Sequence, residues 1–440
     1  MPIDPVRDAA IDVLLRVFED GLFLDVSLDR TLRRKNLRDR GRRFLTQLVY
    51  GTVRHKILCD YVLRGVLRQP LEELPAPMRA LLRMGVFQAL FCRQVTPPAL
   101  VHTSVDLAKK RGHAGLARLA NAVLRRIPHA LSEVALPEEP FERLHVQYSM
   151  PKWLVERWVK TLGPEETEIL CRALTQEAPT TARVNTSQTH PDALVKTLEK
   201  GGILAEKRTA IPEEITFVQG PPPARSKRFH AGDFVIQDPA SMLPPHLMEP
   251  QAGERILDMC AAPGGKTTHI AALTEGQAPI VACDLRPLRI RQIRENAART
   301  NAPHIQMIVA DGRNTPFAGQ FSRVLVDAPC SGLGTLRRHP DLKYRISEQD
   351  ISELASLQVQ LLRSAIGLCE NQGVIVYSVC TFTPEETEQV VTGILATEPV
   401  ILEDGPKWMD AWRINKGMYR TNPGQDGLDG FFLTRLRKQS

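Results

Sequence analysis

The sequence predicts a multidomain protein with an all-α first third, a small α+β segment, and a C-terminal α/β domain built on a parallel sheet. Three observations predict it. Residues 1–130 carry apolar side chains at helical spacing, and nothing in them alternates as a sheet does. Beyond Gly253, apolar runs and helical stretches take turns. The net charge of +7 sits in the first third: residues 1–140 hold 23 Lys and Arg against 15 Asp and Glu, whereas the remainder holds 34 against 35.

In the first third, Ala10-Ile11, Leu14-Leu15 and Val17-Phe18 recur on one helical face, as do Leu45, Leu48, Val49 and Val53. Pro70, Pro75, Pro77 and Pro97-Pro98 punctuate the later helices. The stretch Thr31–Arg43 holds seven bases and one acid, a composition suited to a polyanion but shared by many solvated helical faces. Residues 141–235 change character, with a helix near Trp153–Val159, a short strand at Ala182–Asn185, a helix over 191–200, and the proline-rich loop Pro221–Pro223. Residues 236–440 then place strands at Arg255–Met259, Pro279–Cys283, Ile305–Ala310, Val324–Val326 and Val374–Val379. Helices are expected at Thr267–Thr274, Pro287–Thr300, Ser347–Glu370 and Pro384–Ala396. Strands that are apolar throughout belong to a parallel sheet covered on both faces, and ligands of such sheets bind at the strands' carboxyl ends. Asp258, Asp284, Asp311, Asp327 and Cys380 all fall there.

Composition excludes several classes. At 43% apolar and 24% charged the chain is not disordered, and no apolar run approaches the roughly 20 residues a membrane span needs. The opening MPIDPVRDAA lacks the pattern of a secretory signal, so the thiols are expected to stay reduced in a soluble cytoplasmic protein. Eight cysteines occur without one Cys-x-x-Cys pair, so no metal site is expected.

The loop DMCAAPGGKTTHI (258–270) imitates a triphosphate loop but fails its spacing: Cys260 stands where the first glycine belongs, and Pro263 removes an N–H donor. The dinucleotide fingerprint is also missing. Cys260, Ala261, Ala262, Pro263, Gly264, Gly265 and Lys266 instead form a tight turn of small residues before a helix, where N–H groups can meet a carboxylate. Asp284, 20 residues beyond Gly264, can hold a ribose diol, and Asp311 can meet an adenine edge. A ligand with ribose and carboxylate but no phosphate describes S-adenosylmethionine.

Cys330 and Cys380 follow neighbouring strand ends among polar residues, unlike Cys59, Cys92, Cys171, Cys283 and Cys369, which read as small core residues. Carbon 5 of a pyrimidine is a poor nucleophile until a thiolate adds at carbon 6, and an acid near ring nitrogen 3, such as Asp327, stabilises the developing charge. A second thiol can assist elimination. Spacing leaves open which cysteine attacks.

With DMCAAPGGKT, VDAPCSGLG followed by RRHPDLK, IQDPASML at 236–243 and the terminal DGFFLTRL, the chain resembles the Nop/Sun RNA (cytosine-5)-methyltransferases, above all their bacterial branch acting on 16S ribosomal RNA. The resemblance implies an α/β Rossmann-like, S-adenosylmethionine-dependent domain at 236–440. It implies Cys380 as nucleophile, Cys330 as promoter of product release, and cofactor contacts at Cys260–Lys266, Asp284, Asp311 and Asp327. DNA cytosine-5 methyltransferases reverse the two cysteine roles. The first third, through VFQALF (86–91) and NAVLRR (121–126), resembles the RNA-binding factor NusB, which turns the basic stretch into an expected RNA-docking surface. Residues 1–140 are then a NusB-like all-α domain and 141–235 a small α+β linker subdomain. The implied partner is 16S rRNA or an assembling small subunit met by a monomer. Transfer RNA as substrate and a catalytically weak assembly factor are the alternatives. Val379 and Thr387 depart from the family pattern.

Overall fold

The computed structural model describes residues 4–317 and 319–440; the first three residues, on which the reading of the N-terminus partly rests, lie outside them. The chain separates into two compact units, Met1–Gln176 with Leu336–Arg345, and Glu177–Thr335 with Ile346–Ser440. Segment 141–235 is thereby divided, its helices before Gln176 lying in the first unit and its strands in the second.

The first unit is helical, as the apolar spacing predicts. Its long helices include Pro5–Phe18, Asp39–Arg54, Ala76–Phe91 and Pro97–Arg111. Asp4 caps the first, its carboxylate accepting from the amides of Val6 and Arg7. Ile11, Leu14, Leu45, Leu48 and Leu82 are fully buried in one core. Inside it the Arg83 guanidinium forks onto the Asp60 carboxylate at 2.6 and 3.0 Å, a charge-assisted pair that offsets the cost of burying both. The stretch Leu336–Arg345, carrying RRHPDLK, joins this unit. Lys343 Nζ donates to the Arg54 carbonyl at 2.9 Å, Arg54 donates to the Arg337 carbonyl at 2.8 Å, and Asp341 accepts from the Leu24 amide at 3.2 Å. Among the described residues, no helix is long and apolar enough to cross a membrane.

The second unit carries two sheets. The smaller is antiparallel, β1 (Thr181–Val184), β2 (Leu204–Glu206), β3 (Glu214–Gln219) and β4 (Phe234–Ile236) in the order β2-β3-β1-β4, with helix Pro191–Lys200 packed on it. The larger contains β5 (Ile256–Asp258), β6 (Ile280–Asp284), β7 (Ile305–Val309), β8 (Phe321–Asp327) and β9 (Cys369–Val379), all parallel. After these come β10 (Val400–Leu402), β11 (Arg413–Asn415), β12 (Met418–Thr421) and β13 (Phe431–Lys438). The order is β11-β12-β13-β9-β8-β5-β6-β7, with β10 paired to β13. The chain runs outward from β5 through β6 and β7, then returns to β8 and β9 on the other side, so the loop after β5 lies at a topological switch point.

The sheet continues past the five parallel strands that the sequence predicts. β13 pairs antiparallel with β9, Phe432 facing Val379, and β10, β11 and β12 extend the edge in the same sense. Apolar runs mark the strands but carry no direction. Helix Pro384–Ala396 is also shorter than expected: a 3-10 turn, Pro384–Glu386, precedes the α-helix Glu388–Thr397.

Two motifs meet at a glycine contact. The Gly430 amide donates to the Gly334 carbonyl at 2.8 Å, and a Cβ on Gly334 would stand 1.8 Å from the Gly430 carbonyl oxygen. Gly334→Ala should therefore destabilise the protein by about 1–3 kcal/mol in urea unfolding. Gly393→Ala, in a helix with open space around it, should stabilise by about 0.5–1 kcal/mol. Equal responses from the two would contradict this packing.

Candidate active site

The loop after β5 turns into helix Gly265–Leu273 through Gly264, whose φ of +98° disfavours any side chain. The glycine also serves protein packing: a Cβ there would lie 3.1 Å from the Ile293 Cα, in helix Pro287–Arg299. Ala261 is buried, and Cys260, Ala262 and Pro263 line the turn beside it. Lys266, one position into the helix, reaches across to β8 and donates to Asp327 Oδ2 at 2.6 Å, with the Phe431 ring 5.4 Å from its ammonium.

The aspartates converge on the rim foreseen for them. Asp258 ends β5, Asp284 ends β6 and Asp327 ends β8, while Asp311 lies just past β7. Their states differ. Asp284 is buried, accepting from the Arg286 amide at 3.1 Å. Asp311 is gripped by Arg313, with Nε at 3.0 Å and Nη2 at 2.6 Å, which holds its carboxyl below the ordinary range. Asp327 is held on both oxygens, by Lys266 and by Ser378 Oγ at 2.7 Å. Asp258 is fully buried: Thr267 Oγ1 donates to Oδ2 at 2.7 Å, and Oδ1 has no partner among the described residues. Burial pushes its carboxyl up to about 7. Leu285, 60% exposed beside Asp284, adds an uncovered apolar side chain to the rim that the sequence did not flag.

Such a site suits a cation better than a polyanion. The bases Lys266, Arg313 and Arg289 are already committed to Asp327, Asp311 and Asp284, and the unpaired Asp258 oxygen adds acceptor capacity beneath the loop. The residues thus fit a ligand that carries positive charge, a diol and an aromatic plane, as S-adenosylmethionine does, and they disfavour a triphosphate.

Beyond β8 and β9 lie the two cysteines. Asp327 faces Ser378 across the parallel pair, so the loops that follow leave the sheet side by side. The sulfurs of Cys330 and Cys380 are 3.2 Å apart. Both residues are partly exposed, as is Cys260, whereas Cys59, Cys92, Cys171, Cys283 and Cys369 are buried. The neighbouring Cys380 sulfur, burial and the Glu386 charge together push the Cys330 thiol well up. Desolvation does the same to Cys260. A thiol held protonated beside a second sulfur can donate a hydrogen bond to it, a contact that spacing could not supply.

Sequence reasoning missed the groups behind the sulfurs. Glu386 is fully buried and accepts from Ser331 N at 2.8 Å, Ser331 Oγ at 2.5 Å, Gln358 Nε2 at 3.0 Å and Thr383 Oγ1 at 2.7 Å. The Glu385-Glu386 pair was visible, but nothing in the sequence said that one of the two points inward. Of the departures from the family pattern, Val379 is buried against β13, and Thr387 closes the turn by donating to the Thr383 carbonyl at 2.7 Å.

The expectation of no metal-ligating group also needs qualification. Among the described residues, Glu213, His246 and His269 bring ligand-type atoms within 4.8 Å of one another. They come from separate segments, so no short motif announces them. Oε1 of Glu213 lies 2.9 Å from His246 Nε2 and 2.6 Å from His269 Nε2. The triad links the start of β3 to helix Leu243–Met248 and to the helix that carries Lys266.

Comparison with known proteins identifies the assembly. Residues 245–437 match the family described as 16S rRNA methyltransferase RsmB/F, residues 4–129 the NusB family, and residues 150–222 the ferredoxin-like domain of RsmF/B-like methyltransferases. The probable ribosomal RNA small subunit methyltransferase B of Bacillus subtilis (strain 168) is 33% identical over 444 residues, covering 99% of each chain. Among solved structures, that of PH0851 superposes over 100% of both chains with a TM-score of 0.84 at 28% identity. A methyltransferase homologue from Pyrococcus horikoshii covers 69% of this chain and all of its own, with a TM-score of 0.59 at 27% identity. The chain belongs to the 16S rRNA methyltransferase RsmB/F family.

The state of Asp258 is testable. Its folded pKa of about 7 exceeds the unfolded 3.8, so the folded state binds the proton more tightly, and stability falls as pH rises between those values. Asp258→Asn imitates the protonated form. Relative to wild type, the variant should gain about 1 kcal/mol or more in chemical denaturation between pH 5 and pH 7.5. A stability difference independent of pH would contradict a raised pKa.

Proposed function

We propose that this chain methylates carbon 5 of a cytosine in 16S rRNA, using S-adenosylmethionine and a covalent adduct to Cys380. The reading rests on the 3.2 Å approach of the Cys330 and Cys380 sulfurs at the rim that also carries Asp258, Asp284 and Asp327. Two thiols serve pyrimidine carbon-5 chemistry directly, one to add and one to release.

When bound, S-adenosylmethionine supplies carbon 5 with an electrophilic methyl group. Cys260–Lys266, Asp284 and Asp311 would hold it, and exposed Leu285 would offer an apolar surface for its adenine. Cys380 attacks carbon 6 as the thiolate, forming a sulfur–carbon bond and moving electron density to carbon 5 and nitrogen 3. In this reading Asp327, held by Lys266 and Ser378, is the acid that serves ring nitrogen 3: its carboxyl would take a proton from the Lys266 ammonium and pass it to the nitrogen, stabilising that density. Once a base has taken the carbon-5 proton, the electron pair of the sulfur–carbon-6 bond returns to Cys380. The Cys330 thiol, kept protonated, donates to the departing thiolate and so promotes release. Cytoplasmic 16S rRNA, free or in an assembling subunit, is the partner this reading assigns, with the exposed Arg33, Arg34, Lys35, Arg38, Arg40 and Arg43 docking its phosphates.

Cys380→Ala should bind S-adenosylmethionine and transfer no methyl group to 16S rRNA. Cys330→Ala should accumulate a denaturation-resistant RNA–protein adduct. An active Cys380→Ala, or a Cys330→Ala that releases clean product at the wild-type rate, would reject these roles.

Neutralising the six exposed bases of 33–43 should make RNA affinity less steep in salt. For single-stranded RNA the slope of log affinity against log salt should change by about 0.7 for each phosphate no longer neutralised. An unchanged slope would place the docking surface elsewhere.

A further inference from the structure

The proposed chemistry needs two sulfurs held together, yet loops at strand ends are the mobile part of an α/β protein. What fixes them lies behind the pair, in a polar cluster with no part in the reaction steps above. Glu386 has no solvent exposure, and a buried carboxylate is strongly disfavoured unless donors surround it. Four donors do. The Ser331 amide and hydroxyl come from the residue after Cys330, Thr383 from the loop after Cys380, and Gln358 from helix Glu348–Leu368.

Gln358 completes the clamp. Its Nε2 also donates to the Pro329 carbonyl at 2.9 Å, so Cys330 is held on one side through Pro329 and on the other through Ser331. The two loops are joined as well: the Ser331 and Thr381 hydroxyls lie 2.9 Å apart, and the Gly334 amide donates to the Cys380 carbonyl at 3.0 Å. Tyr377, on β9, donates to the backbone carbonyl of Glu386 at 2.6 Å and anchors the cluster to the sheet. Both hydrogen bonds that Ser331 sends to the turn Pro384–Glu386 end on the Glu386 carboxylate. Truncating it would leave these buried donors unpaired.

We propose that Glu386 is the positioning residue of the thiol pair: its buried carboxylate locks the loops of Cys330 and Cys380 together and thereby sets the separation of their sulfurs. The consequence for catalysis rests on the methyltransfer reading above; the geometric claim does not.

The two parts are separable by experiment. Dibromobimane fluoresces when it bridges two thiols a few ångströms apart, so bridging of Cys330 and Cys380 in the full-length protein without RNA reads the geometry directly. Wild type should bridge readily. Glu386→Ala should slow bridging at least tenfold while single-site labelling of both cysteines by monobromobimane, followed by mass spectrometry, is unchanged or faster. Glu386→Gln, which keeps the volume and one acceptor oxygen, should fall between the two, and it serves as the test should the alanine variant not fold. In methyl transfer both variants should lower kcat, the alanine variant by about 100-fold, with KM for RNA within twofold of wild type. Bridging at the wild-type rate in both variants would overturn the proposal. Slowed bridging in a protein whose wild type transfers no methyl group would uphold the positioning role and reject the functional reading.

Discussion

The parallel pairing of β8 with β9, with Asp327 opposite Ser378, determines what the rest of the site can be. Side chains that close two adjacent parallel strands must emerge on one rim, and the loops that follow begin a strand spacing apart. Asp327 and Ser378 are hydrogen-bonded across that pair, and Cys330 and Cys380 lie three and two residues further along their chains. An offset of two residues in this pairing would separate the sulfurs by more than a hydrogen bond could recover. The strands are themselves secured by burial: Val324, Leu325, Val326, Ile375, Val376 and Tyr377 have no exposed surface. Core packing thus sets the coarse position of the chemistry, and polar contacts set the fine one.

Those contacts are costly in isolation and favourable together. The carboxylates of Asp258, Asp327 and Glu386 all belong to the second unit, and each is treated differently. Asp327 is paired with an ammonium, Glu386 is surrounded by neutral donors, and Asp258 is buried with one oxygen unsatisfied, so that it favours its proton. The Cys330 thiol is pushed up in the same way, by the neighbouring Cys380 sulfur, by burial and by the charge of Glu386.

Much of this was legible in the residue pattern. Fully apolar strands interleaved with amphipathic helices carry the parallel sheet, and the position of Asp258, Asp284, Asp327 and Cys380 at strand ends follows from where the apolar runs stop. The helical first third was equally plain from the 3.6-residue spacing around Ile11, Leu14, Leu45 and Leu48. Pairing partners were not legible. DGFFLTRL contains most of β13, but nothing local says that it runs antiparallel beside β9. RRHPDLK falls within the C-terminal domain predicted at 236–440, yet its Asp341 and Lys343 bond to Leu24 and Arg54, some 300 residues earlier in the chain. Glu386, and the triad of Glu213, His246 and His269, depend on contacts between distant segments, which composition and periodicity do not encode. Asp311 shows the same limit: its place was visible, but its engagement by Arg313 was not.

The most direct test of the account is to trap the enzyme on 16S rRNA carrying 5-fluorocytosine, whose carbon–fluorine bond blocks the final elimination, and to locate the linked amino acid by mass spectrometry. The account predicts a single attachment at the sulfur of Cys380, formed in the presence of S-adenosylmethionine. Attachment at Cys330, or no stable linkage despite active methyl transfer, would contradict it.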